Sequence, residues 1–231
     1  MSRCDGFTRL PQSTDDRDDQ GEDLAHDDVV APKNSVDDDE TDLVMNGLRR
    51  AQYQNRPVTV VRKKLRKAQK IRGFVMSVGD QWVLLAQLED GIYLDGWVAL
   101  RIADITSVKV KRSEAKYVIR SIQAIGQWPP RLPPRPVDLD EIASLLKSAQ
   151  DCGPLLGLQC EAKDSIALVI GRPLRIQKGS ISLLDIDPQG RWWRKPRTWE
   201  FEEITQVRIH GRYQVALARY GQRIPKLAKT S

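Results

Sequence analysis

The chain of 231 residues is long enough for one large domain or for two small ones with separate cores. Its net charge of +6 hides a division: residues 1–43 carry fourteen Asp and Glu against four Lys and Arg, and the remainder carries 17 acids against 33 bases. No basic stretch leads into an apolar segment at the start, no run approaches 18 uncharged apolar residues, and three cysteines form neither a disulfide framework nor a zinc pattern; this argues against secretion, membrane spans and structural zinc and sets a cytoplasmic protein as the expectation.

Residues 1–40, with runs such as "DDRDDQGEDLAHDD" and "VDDDE", hold too little apolar surface to offset the loss of backbone freedom and read as a disordered acidic arm. Facing a basic body on the same chain, the arm is expected to act as an internal competitor for polyanions or as a solubilising tail. "TDLVMNGLRRAQYQN" then predicts a short helix, with Thr41 as N-cap and Leu43, Val44, Leu48 and Ala51 at near-helical spacing. After Pro57, "VTVVRKK" reads as a strand; "RGFVMSVGDQWVLLAQLEDG" reads as a hairpin, and "WVALRI" alternates as a further strand that bends at Asp104-Ile105 into "TSVKVKR". "GQWPPRLPPRPVD" has five prolines in thirteen residues and reads as a stiff linker over 127–137. "DLDEIASLLKSAQ" restarts the programme as a helix, with Asp138 as N-cap and Glu141 completing a capping box.

The restart keeps its frame. Pro57 precedes Gly73 by sixteen residues and Pro154 precedes Gly171 by seventeen, while Gly73 precedes Ile105 by thirty-two and Gly171 precedes Ile204 by thirty-three. "ADITSVKV" thus returns as "EEITQVRI", and the expected inward positions correspond: Leu100 with Trp199, Ile102 with Phe201, Ile105 with Ile204, Val108 with Val207, and Val110 with Ile209. The expectation is a mainly β protein with short helices. A disordered acidic arm (1–40) precedes one helix-plus-small-β-barrel repeat (41–126), a Pro-rich linker (127–137), a second repeat (138–224) and a tail (225–231), each barrel closing on its own seam.

A helix followed by about five short, bent strands resembles the Sm-like small β-barrel, and the second copy, "SISLLDIDPQGRWWRKPRTWEFEEITQVRI", is similar to the WYL domain in its Arg197, Trp199, Phe201 and Ile204 seam. The Trp-Tyr-Leu of that family corresponds to Trp82-Val83-Leu84 in the first copy and Ser180-Ile181-Ser182 in the second. The resemblance implies tandem Sm-like folds, and through the WYL likeness a module that senses an effector or nucleic acid.

Chemistry-bearing residues are sparse. His26 and His210 are the only histidines, no P-loop, G-x-S-x-G or G-x-G-x-x-G occurs, and the carboxylates fall at turns and strand ends, so no enzyme, metal or cofactor is expected. Two basic clusters remain. "RKKLRKAQKIR" carries Arg62, Lys63, Lys64, Arg66, Lys67, Lys70 and Arg72, a density that suits phosphate contacts as well as a solvated loop. "QGRWWRKPR" carries Arg191, Trp192, Trp193, Arg194, Lys195 and Arg197; two adjacent tryptophans on an extended segment point to opposite sides, so one ring is expected near the surface, where it can stack a base or grip a protein partner, or else one ring lids the barrel and the other packs on the neighbouring domain. The functional expectation is a non-enzymatic binding protein that contacts RNA or DNA through these clusters. The alternatives are a protein-interaction scaffold and an effector-sensing module.

Overall fold

Ten short strands, joined antiparallel into one open sheet, carry the chain. The computed structural model describes residues 36–65, 68–163 and 168–225. The first half contains α1 (Val36–Tyr53), β1 (Pro57–Val61), β2 (Ile71–Val78), β3 (Trp82–Glu89), β4 (Tyr93–Arg101), β5 (Ser107–Lys109) and α2 (Arg112–Ala124). The second contains α3 (Ile142–Ala149), β6 (Leu156–Gln159), β7 (Leu168–Gln177), β8 (Ser180–Asp185), β9 (Arg197–Glu200), β10 (Gln206–Ile209) and α4 (Arg212–Tyr220). Each half is therefore a helix, a four-strand meander, a fifth strand and a second helix. No helix among the described residues is long and apolar enough to cross a membrane.

Local physics repeats with the sequence frame. In both halves a one-turn 3-10 helix, Ile102–Asp104 and Phe201–Glu203, swings the chain out of the fourth strand and into the fifth. In both, the second strand bulges at one residue, Met76 and Leu174, which stand 98 apart. The frame glycines are contact points: a β-carbon on Gly73 would lie 2.4 Å from the carbonyl oxygen of Ala86, and one on Gly171 would lie 2.7 Å from that of Leu184. No side chain fits there, so both copies need glycine where the bent strands cross.

The expected closed barrels are replaced by a continuous sheet, ordered β5-β1-β2-β3-β4-β10-β6-β7-β8-β9. The edge of β4 that would meet β5 is bonded instead to β10 of the other half, Leu100 opposite Gln206 and Trp97 opposite Ile209. Arg101 strengthens the junction by donating to the carbonyl of Glu202 at 2.8 Å. Strands β5 and β9 are left as the two outer edges.

Packing explains why the halves join there. Strand β3 is buried from Trp82 to Leu88 because both faces of the first half are covered. Val83, Leu85, Val98 and Leu100 pack under α1 with Val44, Leu48 and Ala51. Trp82, Leu84 and Ala99, on the opposite face, belong to the core of the second half with Leu145, Leu146, Val207 and Ile209. The register equivalents of those three in the second half are Ser180, Ser182 and Thr198. The face that docks is thus apolar in one copy and polar in the other, so the same contact cannot be repeated outward from β9.

Other sequence expectations shift at element ends. Helix α1 begins at Val36, inside the segment read as arm, and the disorder expected of residues 1–35 concerns residues outside those described. Helices α2 and α4 were not anticipated; α2 follows a fifth strand of only three residues. The capping box expected at Asp138 does not form: α3 starts at Ile142 behind Glu141, and Asp138 instead accepts a hydrogen bond from the Asp140 amide at 3.0 Å. The Pro-rich linker has no helix or strand from Trp128 to Val137. It is pinned where Trp97 Nε1 donates to the Arg131 carbonyl at 2.9 Å and where Trp128 packs edge-on against Phe74.

Candidate nucleic-acid interface

The first basic cluster divides into a core ion pair and a surface remainder. Arg62 and Glu161, their side chains 0 and 1 % exposed, form a two-pronged pair between the halves, with Nη2 of Arg62 lying 2.9 Å from Glu161. Thr205 Oγ1 donates to the same carboxylate, and Gln206 Oε1 accepts from Arg62 at 3.2 Å. A guanidinium held this way is closed to phosphate, which corrects the expectation for Arg62. Lys63 is exposed, and Lys64 stands 3.9 Å from Glu40. Arg66 and Lys67 lie outside the described residues. Arg72 pairs with Glu114 at 3.1 Å, whose carboxyl is held below its ordinary value chiefly by the Lys111 hydrogen bond.

Lys70 and Arg72 also line a polar cavity of about 220 Å³ that Arg208 of β10 enters from the other half. Burial pushes the Arg208 guanidinium below its ordinary pKa, and its Nε has no hydrogen-bond partner among the described residues. Glu89 and Asp90 share the cavity, so its charge is mixed. Arg208 was missed from sequence because one arginine in a strand carries no clustering signal.

The second cluster is a built loop. Asp187 accepts from the amides of Gln189 and Arg191, both at 2.9 Å, and from Arg191 Nε at 2.8 Å; the Arg191 amide is the main reason its carboxyl is held low. Just beyond β8 the chain pairs back at an isolated antiparallel bridge between Ile186 and Trp192, and the adjacent tryptophans part. Trp192 packs against Leu155, Ile170, Ile186 and Leu217 and donates to the Gln222 carbonyl at 2.8 Å. Trp193 is 51 % exposed. The guanidinium of Arg197 sits 4.9 Å from the ring centres of both Trp193 and Trp199, and pairs with the buried carboxylate of Asp185. Desolvation raises the Asp185 pKa in spite of that arginine. Arg194 and Lys195 are exposed and make no ion pair among the described residues.

Two further cations were missed. Arg172 and Arg175 flank the β7 bulge and are both exposed; Arg175 is the register partner of Ser182, which in turn is the partner of Thr198. Both stand on the face of the sheet that carries Ser182 and Thr198, opposite the face that carries Arg197. The pattern "GRPLR" hid them because the bulge restores to one face two residues that simple alternation would separate.

Among the described residues no group of three His, Cys, Asp or Glu side chains converges on a metal-sized site. Burial pushes the Cys160 thiol up to about 11 and raises that of Cys152, so neither is a thiolate at neutral pH. No family model, curated protein or solved structure matches the chain.

Proposed function

We propose that the chain is a non-enzymatic nucleic-acid-binding protein made of two Sm-like units, holding single-stranded RNA or DNA on the second unit around Trp193. The observation that carries this reading is the exposed Trp193 ring, backed on one side by an arginine that is itself fixed by Trp199 and Asp185. The platform is ordered before any ligand arrives, so stacking a base on it costs little conformational entropy. Arg191, Arg194 and Lys195, its neighbours along the chain, supply charge for phosphates and give affinity without sequence preference. The restart of helix, five strands and 3-10 turn in both halves supports the tandem Sm-like reading.

Titration with a short oligothymidylate and an oligouridylate at low salt tests the proposal. Trp193→Ala should weaken binding on the order of tenfold, the value of one lost stacking contact. Arg194→Gln with Lys195→Gln should flatten the dependence of affinity on salt. Absence of binding at low salt, or binding indifferent to all three substitutions, refutes it.

One observation favours the scaffold alternative. A groove of about 300 Å³ between α1 and the open edge β5 is lined by Gly47, Ala51, Val108 and Val110 together with Gln54, Arg50, Arg56 and Arg112. A partner strand adding there would bond main chain to main chain, and its capture would survive nuclease treatment, which nucleic-acid binding would not.

A further inference from the structure

Three separate stretches of chain meet at a cleft of about 310 Å³ that has no part in the proposed nucleic-acid surface. Strand β4 supplies an apolar floor of Leu94 and Trp97, with Ala86 behind it; the start of the linker supplies Gln127 and Arg131, and the corner between β10 and α4 supplies His210. The volume suits a ligand of one or two rings, and an apolar cleft with a few converging polar groups is the usual form of a small-molecule site.

The walls are fixed. Trp97 is anchored through Nε1 to the Arg131 carbonyl, and Gln127 brackets Leu94 by accepting from its amide at 2.6 Å and donating to its carbonyl at 3.1 Å. The His210 corner approaches so closely that a β-carbon on Gly96 would lie 2.6 Å from the Ile209 carbonyl oxygen. This leaves two polar groups uncommitted. The imidazole of His210, 6.1 Å from the Trp97 ring centre, has no hydrogen-bond partner among the described residues, and the Arg131 guanidinium has no carboxylate partner among them.

The backbone at His210 is the independent sign of a site. Its φ is 55°, in the left-handed region where glycine sits freely and a residue with a β-carbon is disfavoured. The corner needs no imidazole to turn, yet one stands there between this cleft and a second of about 230 Å³ lined by Pro154 and Val215. Strained non-glycine residues of this kind gather at ligand sites.

We infer that the cleft binds a small planar aromatic carboxylate, its ring on the floor of Leu94 and Trp97 beside His210 and its carboxylate on Arg131. A ligand so placed touches both halves and the linker together.

Calorimetric titration of the full chain with benzoate, nicotinate, indole-3-acetate and phenylpyruvate tests this, with indole-3-ethanol as the uncharged counterpart. At least one acid should bind with a dissociation constant below about 5 mM, the loosest affinity expected of a built site for so small a ligand. Indole-3-acetate should bind better than indole-3-ethanol. Arg131→Gln should remove that preference. His210→Gly should leave the melting temperature unchanged or raised, since it relieves the left-handed strain, while weakening the best acid about fivefold or more. Failure of all four acids to bind, equal affinity for the acid and the alcohol, or binding untouched by both variants overturns the assignment. Nucleic-acid affinity, measured on the same His210→Gly protein, should not change.

Discussion

Replacing Glu161 by Met removes the only carboxylate among the described residues that reaches Arg62. The guanidinium then remains at a site 0 % exposed with two acceptors, Gln206 Oε1 at 3.2 Å and the Gln69 carbonyl at 3.4 Å, and with Nε already unpaired. A buried charge stripped of its partner costs about 3–5 kcal/mol. For a protein of this size that is a fall in melting temperature on the order of 10 °C. Arg62→Met should cost a similar amount, because among the described residues the orphaned carboxylate keeps only the Thr205 hydroxyl. The double variant leaves no buried charge, and two methionines fill comparable volume with apolar contact. It should fall within about 1 kcal/mol of the parent or exceed it, giving a coupling energy of several kcal/mol. Urea denaturation of the four proteins measures this, and the double variant should keep its affinity for oligonucleotide, since Arg62 faces the junction. Single losses below about 1 kcal/mol, or a double loss equal to the sum of the singles, would refute the buried pair.

Ile105→Asp and Ile204→Asp each place a charge at a buried turn exit and should each cost about 3 kcal/mol or more by thermal denaturation; near-native melting of either would contradict the shared frame. The fragment 36–127 keeps both of its own clusters and should unfold cooperatively, whereas 137–231 lacks Trp82, Leu84 and Ala99 and should not, as judged by near-ultraviolet circular dichroism; cooperative unfolding of both would mean the junction is dispensable. Because desolvation raises the Asp185 pKa above 3.8, the native state binds this proton more tightly than the unfolded chain, and the group's contribution is lost as pH rises through that window. Asp185→Asn should therefore gain stability relative to the parent from pH 4 upward, and a difference independent of pH would remove the shift.

The functional residues were legible in part. Adjacent tryptophans on an extended segment have to diverge, so one ring inside and one outside follows from strand geometry, and the structure decides that Trp192 is the inner one and Trp193 the outer. The seven-cation run was misleading at Arg62 because composition cannot distinguish a solvated arginine from one that meets a glutamate 99 residues away. Arg131, His210 and Arg208 carry no local signal; each gains its setting from a segment of the other half or from the linker.

The repeat itself is a property of the sequence, since glycine at Gly73 and Gly171 and isoleucine at Ile105 and Ile204 answer packing demands that recur with one spacing. What the tertiary structure alone decides is which copy of each strand is interior. Leu100 is fully buried and its counterpart Trp199 is not; Ile209 is fully buried and its counterpart Val110 is 37 % exposed. Equivalent residues differ because β4 pairs with β10 while β5 and β9 remain edges. The preference for that arrangement rests on one face carrying Trp82, Leu84 and Ala99 where the other carries Ser180, Ser182 and Thr198, a difference that matters only once the two faces can be compared as partners for the same groove.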